Sequence, residues 1–150
     1  MPSFISIPLK KTYEVDLVDP VKRNADRPED PLAIQELQKL RNSAVCRPLD
    51  RHESSVDVLS RYYDQLVAIE NKIPFSTTAV PVAFKWKDAF DKGSLFFGKA
   101  SLTLCSGGFE KAAVLFNLGA FLRYLDDFWH LITANPFDKS WFYFLVDDVR

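Results

Sequence analysis

The sequence predicts an α+β protein that is mainly α-helical, with a small antiparallel N-terminal sheet of about three strands packed against the helices. In residues 82–86, large apolar side chains alternate with alanine or lysine, which is the period-two pattern of a half-buried strand. Segments that start at Pro31, Glu53 and Phe109 place apolar residues every three or four positions, which is the pattern of a helix face. These two periodicities, with turn residues between them, predict the fold class.

The opening strand is predicted near the N-terminus. Ile5, Ile7 and Leu9 fall on one face of it, and Pro8 on the other face indicates an edge position, because proline cannot donate to a ladder. Residues 12–30 are rich in charge and contain prolines, which predicts an irregular connection with a short helix.

Two helices follow. The pair Asp30-Pro31 is a helix start, with an N-cap side chain and proline at the first helical position. One apolar face then consists of Ile34, Leu37, Leu40, Ala44 and Val45 and ends before Pro48. The stretch from Asp50 to Glu53 has the spacing of a capping box, and its helix continues to about Glu70. The short link predicts that the two helices pack as an antiparallel pair.

An antiparallel hairpin is predicted from about Ala79 to Leu104, with the opening strand beside it. Asp91-Lys92-Gly93 supplies the turn, where glycine is free to take a positive φ. The helix that follows has an apolar face made of Phe109, Ala112, Ala113, Phe116 and Ala120. We expect Trp86 to be buried between this helix and the sheet.

Composition excludes several classes of protein. At 150 residues and 47% hydrophobic content, the chain is long enough for one domain with a core. Nineteen basic and 20 acidic residues give a net charge of -1, so no nucleic-acid partner is predicted. No signal peptide and no apolar run of about 20 residues is recognisable. A cytoplasmic location is therefore predicted, with Cys46 and Cys105 as reduced thiols.

The candidate catalytic residues are Cys46, Cys105 and His52, which would suit a small stand-alone α+β hydrolase. A nucleophile needs a base within hydrogen-bond reach, and the sequence places no histidine near either cysteine. Asp50 and Glu53 flank His52, but carboxylates at a helix start more often satisfy N–H groups there. The sequence therefore predicts no catalytic, cofactor-binding or metal-binding residue, and no cofactor.

A phosphate cradle is the alternative interpretation of Ser106-Gly107-Gly108, which precedes a helix. The motif lacks a following Gly-Lys-Ser/Thr, so a simple helix entry turn is favoured.

Residues 121–150 form an aromatic-rich tail. Phe121, Tyr124, Leu125, Phe128 and Leu131 have helical spacing and could extend the preceding helix as far as Pro136. The apolar run from Trp141 to Val146 contains no proline or charge, which predicts self-association through this tail.

Four separated segments resemble the Bro1 domain family. FISIPLKKTYEVDL resembles the family's opening strand, and LQKLRNSAVCRPLDRHESSVDVLSRYYDQL resembles its first pair of helices. WKDAFDKGSLF and GFEKAAVLFNLGA resemble the hairpin and the helix that follow. Residues 1–120 are therefore interpreted as the N-terminal part of a Bro1-like domain, and residues 121–150 as a divergent tail.

The resemblance implies a non-enzymatic adaptor in endosomal sorting, cytoplasmic and recruited to endosomes, where multivesicular bodies form. It implies an ESCRT-III subunit as partner, whose charged tail helix lies in an apolar groove. The family builds that groove downstream of the matching segments, so partner-binding residues cannot be transferred to this chain. Peripheral contact with the endosomal membrane would use the basic residues Lys10, Lys11, Lys22, Arg23 and Arg27.

Overall fold

The computed structural model describes residues 6–24, 30–93, 98 and 100–133, with side chains as far as Phe128. Its helices are α1 (Val18–Asn24), α2 (Pro31–Arg41), α3 (Glu53–Ile69) and α4 (Gly107–Thr133). Its strands are β1 (Lys11–Thr12), β2 (Phe84–Lys87) and β3 (Ser101–Leu104). A π-helical turn, Asn42–Cys46, continues α2. The predicted α+β class, mainly helical with three antiparallel strands, is confirmed.

The sheet has the order β1-β2-β3, and both pairings are antiparallel. Trp86 lies opposite Thr12 on one side and Leu102 on the other. Val82, Phe84 and Trp86 are buried, and Gly93 in the connection has φ 76°. The predicted hairpin, its alternation and its glycine turn are therefore confirmed.

The opening strand lies later than predicted. Ile7 and Leu9 precede β1 and are half-buried, and Ile5 lies outside the described residues. The Asn117 side chain on α4 occupies both backbone groups of Lys10, accepting from its N–H at 2.8 Å and donating to its carbonyl at 3.0 Å. This segment is thus held by a side-chain amide rather than by a ladder, and pairing begins only at Lys11.

The predicted N-cap is correct for α2 and wrong for α3. At α2, Asp30 is the N-cap and accepts from the Leu32 N–H at 3.0 Å, as expected. At α3 the predicted capping box is wrong, since the cap is His52, whose Nδ1 accepts from the Ser54 N–H at 3.2 Å. Asp50 instead uses its backbone carbonyl, which accepts from the His52 N–H at 2.9 Å.

The buried face of α4 is rotated from the predicted one. Ala113 and Ala120 are buried as expected, but Ala112 is exposed and Phe109 and Phe116 are only half-buried. The most buried positions of α4 are Glu110, Ala113, Val114, Asn117, Leu118, Ala120, Phe121 and Leu125. The rotation follows from two polar residues, Glu110 and Asn117, whose partners lie inside.

The core lies between the helices and the inner face of the sheet. α3 packs along α4, and α2 with its π-helical turn packs on α3. Leu59 and Tyr62 of α3 are fully buried, and the rings of Phe75 and Phe84 meet edge to face at 5.5 Å. α4 continues past Phe121, as the helical spacing predicted, whereas Pro136 and residues 141–146 lie outside the described residues.

We predict that Trp86→Ala lowers the free energy of unfolding by about 3–5 kcal/mol, because the side chain is 2% exposed and its removal leaves a large cavity. Chemical denaturation measures the change. Leu32→Ala is the control, since Leu32 is 67% exposed and its loss should cost less than about 1 kcal/mol. Equal stability of the Trp86→Ala variant and the parent would contradict the burial of Trp86.

Candidate functional site

A buried polar cluster lies where the helices meet the sheet. Arg41, Tyr62 and Glu110 have no exposed surface, and Trp86 has 2%. Glu110 Oε1 accepts from Arg41 Nε and from the Tyr62 hydroxyl, both at 2.9 Å. Glu110 Oε2 accepts from Trp86 Nε1 at 2.6 Å. We call these four residues the Glu110 cluster.

Arg41 extends this cluster to the N-terminal segment. Its NH1 donates to the Tyr13 carbonyl at 2.9 Å and to Cys46 Sγ at 3.2 Å. Its NH2 donates to Thr12 Oγ1 at 3.2 Å, and its guanidinium lies 5.5 Å from the centre of the Phe84 ring. One side chain therefore connects the start of the chain, the π-helical turn, the sheet and α4.

The charges in the cluster stabilise one another. Burial is the largest influence on Arg41 and by itself would lower its pKa, but the attraction to Glu110 and smaller contributions from Tyr62, Cys46 and the Glu110 hydrogen bond together raise the pKa. The pKa of Tyr62 is raised well above its ordinary value, first by burial and then by the Glu110 charge. Glu110 also lies in the first turn of α4, where the helix dipole favours a negative charge. With both pKa values raised, Arg41 stays charged and Tyr62 stays neutral at physiological pH.

This arrangement has a structural role. The Glu110 carboxylate accepts from three buried donors, and none of the four side chains presents more than 2% of its surface to solvent. A substrate would have to displace an ion pair from the core to reach these atoms.

In the described part of the chain, the candidate nucleophiles have no hydrogen bond to a histidine. Cys46 is half-buried in the π-helical turn, where it accepts from Arg41, and Cys105 is half-buried just before α4. Burial raises the pKa of the Cys46 thiol, although the nearby Arg41 charge opposes the shift. His52 is exposed at the start of α3, and within the described ranges no hydrogen bond joins it to either cysteine.

The Ser106–Gly108 segment is a helix entry turn, as favoured from the sequence. Ser106 Oγ accepts from the Phe109 N–H at 3.2 Å. The Gly107 N–H donates to the Phe75 carbonyl at 3.2 Å, so it is not free to bind a phosphate.

Two of the basic residues proposed for membrane contact have partners on the protein itself. The Lys10 ammonium lies 5.1 Å from the Phe116 ring centre, and Arg23 pairs with Asp19 at 3.5 Å. Arg27 lies outside the described residues. In the described part of the chain, no helix has the length and apolar character needed to cross a membrane. The same residues contain no group of three histidine, cysteine, aspartate or glutamate side chains placed to hold a metal ion.

An apolar groove opens between β3 and α4. It has a volume of about 380 Å³. Its apolar lining comes from Trp86, Ala100 and Leu102 on the sheet side and from Phe109, Ala112, Ala113 and Phe116 of α4, and Lys10, Asp88 and Ser101 also line it. We call it the β3–α4 groove. It is the surface toward which the predicted apolar face of α4 is turned.

Comparison with known sequences decides the family. The sequence profile of the BRO1-like domain matches residues 4–125. The chain belongs to the BRO1-like domain family. The resemblance inferred from the four sequence segments is thereby confirmed, and the Glu110 cluster lies wholly within the matched part.

Two curated relatives are similar to most of the chain. "Apoptosis-linked gene 2-interacting protein X 1" of Caenorhabditis elegans is 59% identical over 128 residues, which cover 79% of this chain and 14% of the relative. "Vacuolar protein-sorting protein BRO1" of Gibberella zeae is 36% identical over 124 residues, which cover 79% of this chain and 12% of the relative. The chain therefore spans about one seventh or less of the length of these relatives.

A solved structure has the same arrangement of helices and sheet. The structure described as "ALIX BRO1 CHMP4C complex" is 47% identical, with a TM-score of 0.72, covering 83% of this chain and 37% of that chain. That related BRO1 domain was solved in a complex with CHMP4C, and this chain shares the fold of part of it.

Sequence reasoning did not single out Arg41 or Glu110. The signal for Glu110 was present, because Ala113, Val114 and Asn117 follow it at three, four and seven positions, on the same helix face. A carboxylate on an apolar face predicts a buried partner but does not identify it. Arg41 has no comparable local pattern.

We predict that Glu110→Gln lowers the free energy of unfolding by about 3–5 kcal/mol, because it leaves the buried Arg41 charge without its counter-ion. The glutamine side chain also has an NH2 group in place of one carboxylate oxygen. That NH2 group would face either the Trp86 donor or the Arg41 and Tyr62 donors, and it cannot accept a hydrogen bond from them. Denaturant titration at neutral pH measures the change.

The control for this prediction is Glu70→Gln. Glu70 pairs with Lys111 at 2.6 Å on the surface and is 51% exposed, so its neutralisation should cost about 0–1 kcal/mol. An equal loss of unfolding free energy in both variants would show that the buried ion pair stabilises the fold no more than the surface pair does.

We predict that Cys46 is alkylated slowly at neutral pH. Its folded-state pKa is raised, so the thiol is protonated below that pKa and the reactive thiolate forms only at more alkaline pH. Iodoacetamide labelling across a pH series, read by peptide mass spectrometry, gives the titration midpoint. The denatured chain is the reference, and faster labelling of Cys46 in the folded chain at neutral pH would contradict the prediction.

Proposed function

We propose that this chain is a non-enzymatic interaction module of the BRO1 type that acts in endosomal sorting. The observation that carries the proposal is the match of the BRO1-like domain across residues 4–125. Relatives named for vacuolar protein sorting, and a related domain solved in complex with CHMP4C, support it. On the same grounds we propose a cytoplasmic protein that is recruited to endosomes.

The non-enzymatic character is supported by the state of the candidate groups. Cys46 faces a guanidinium and has a raised pKa that keeps it protonated. His52 caps a helix, and its Nδ1 accepts from the Ser54 N–H. A hydrolase needs an activated nucleophile beside a base. No described contact favours the hydrolase alternative.

We propose that the chain has two parts: residues 1–120 are the N-terminal part of the module, and residues 121–150 are a divergent tail. The family match, which ends at residue 125, supports the position of the boundary. α4 runs without a break across residue 120, so the two parts share one helix.

The proposed partner is the tail helix of an ESCRT-III subunit. Helix-in-groove recognition needs apolar anchors at helical spacing and a groove made by several long helices. α3 and α4 are the long helices of the described part. We propose that these 150 residues contain only part of such a module, and that by themselves they bind the tail helix only weakly.

We predict that a labelled ESCRT-III C-terminal peptide binds this chain at least about 100-fold more weakly than it binds a version extended with the family's downstream helices. Such a ratio corresponds to about 2.7 kcal/mol of binding free energy. Fluorescence anisotropy titration measures both affinities.

Two controls make this test specific. A peptide whose apolar anchors are replaced by serine should bind neither protein, because the recognition is proposed to depend on them. Equal, anchor-dependent binding by both proteins would overturn the proposed division. Binding by neither protein would overturn the assignment of this partner.

A further inference from the structure

The outer edge of the sheet is open on its core side. β3 lies at the end of the strand order, and none of the other described strands pairs with its outer edge. Leu102 lies opposite Trp86, and Leu104 lies opposite Phe84, so the two leucines share the core face with those buried rings. They are nevertheless 54% and 42% exposed. Within the described residues, the core face is therefore covered at β2 and only partly covered at β3.

The β3–α4 groove continues this uncovered surface onto α4. Phe109 and Phe116 are half-buried and Ala112 is exposed. The rings of Phe90 and Phe116 are perpendicular, with their centres 6.0 Å apart. An open strand edge beside an apolar groove is the geometry that accepts an added strand. The edge supplies backbone hydrogen bonds, and the groove takes alternate side chains.

We propose that residues 141–146 of this same chain dock in the β3–α4 groove as a fourth strand beside β3. This segment, WFYFLV, lies outside the described residues and is composed of strongly strand-forming types. In an extended conformation Phe142, Phe144 and Val146 share one face, which is wholly apolar and matches the groove.

The length of the chain fits this return. Along α4 the distance from Thr133 back to Phe116 is about 26 Å and back to Phe109 about 36 Å, at 1.5 Å per helical residue. An extended chain leaving Thr133 reaches about 27 Å at Trp141 and about 44 Å at Val146. The apolar run therefore begins where the chain can first reach the groove and ends beyond its far end.

Tethering favours this intramolecular occupant over a second copy. A short connection holds the run at an effective concentration of about millimolar, which exceeds ordinary protein concentrations. Docking would also remove from solvent the segment that the sequence marks as prone to aggregate.

Hydrogen-exchange mass spectrometry on the full 150-residue chain tests the proposal. Residues 101–104 and 141–146 should both exchange at least about tenfold more slowly than an unstructured chain. Phe144→Asp places a charge in the docking face, and Leu102→Lys places one in the groove. Each substitution should restore fast exchange in the 141–146 segment and speed exchange at the β3 edge, while residues 110–118 of α4 stay protected.

Leu32→Lys is the matched control. It makes the same change at a side chain that is 67% exposed on α2 and does not line the groove, so both segments should stay protected. Protection of residues 110–118 reports in each variant that the fold is intact. Should Phe144→Asp unfold the chain, Leu102→Lys supplies the same readout from the groove side.

Three outcomes would overturn the proposal. The 141–146 segment could exchange as an unstructured chain in the parent protein. Its protection could survive both groove and tail substitutions. Its protection could also disappear on dilution, together with a dimer in light scattering, which would make the occupant a second copy of the chain.

Discussion

The buried ion pair between Arg41 and Glu110 is the constraint on which the described fold depends. Either charge alone in the core would cost several kcal/mol, so both must be present and correctly placed before the core can close. Tyr62 and Trp86 donate the other hydrogen bonds to the carboxylate. Thr12 Oγ1 accepts a hydrogen bond from the guanidinium. α2, α3, α4 and the sheet are thereby held in one relative arrangement, since a shift of any of them breaks a charged hydrogen bond.

Features that depend on neighbouring residues could be predicted from the sequence. The Asp30-Pro31 helix start, the alternation of residues 82–86 and the positive φ of Gly93 each follow from local chemistry. The contact between Arg41 and Glu110 joins positions 69 apart. A single sequence contains no periodicity at that separation, so the centre of the core could not be predicted.

The buried face of α4 was predicted wrongly for the same reason, because it depends on contacts between residues far apart in the sequence. Counting apolar side chains favours the face of Phe109, Ala112 and Phe116, whereas burial is decided by the polar contacts of Glu110 and Asn117. The apolar side that counting selects is the open surface of the module. For the candidate site, the order of the motifs in the sequence was enough to predict the family. The groove could not be predicted, because it is formed between a strand and a helix face.

The amide of Asn117 has a consequence for the order in which the chain folds. It receives the backbone of Lys10 across 107 positions, so this contact with Lys10 forms only after α4 has been made. At translation rates of 5–20 residues per second, that interval is about 5–20 s. The backbone just before β1, among the first to leave the ribosome, is thus fixed by one of the last contacts to form.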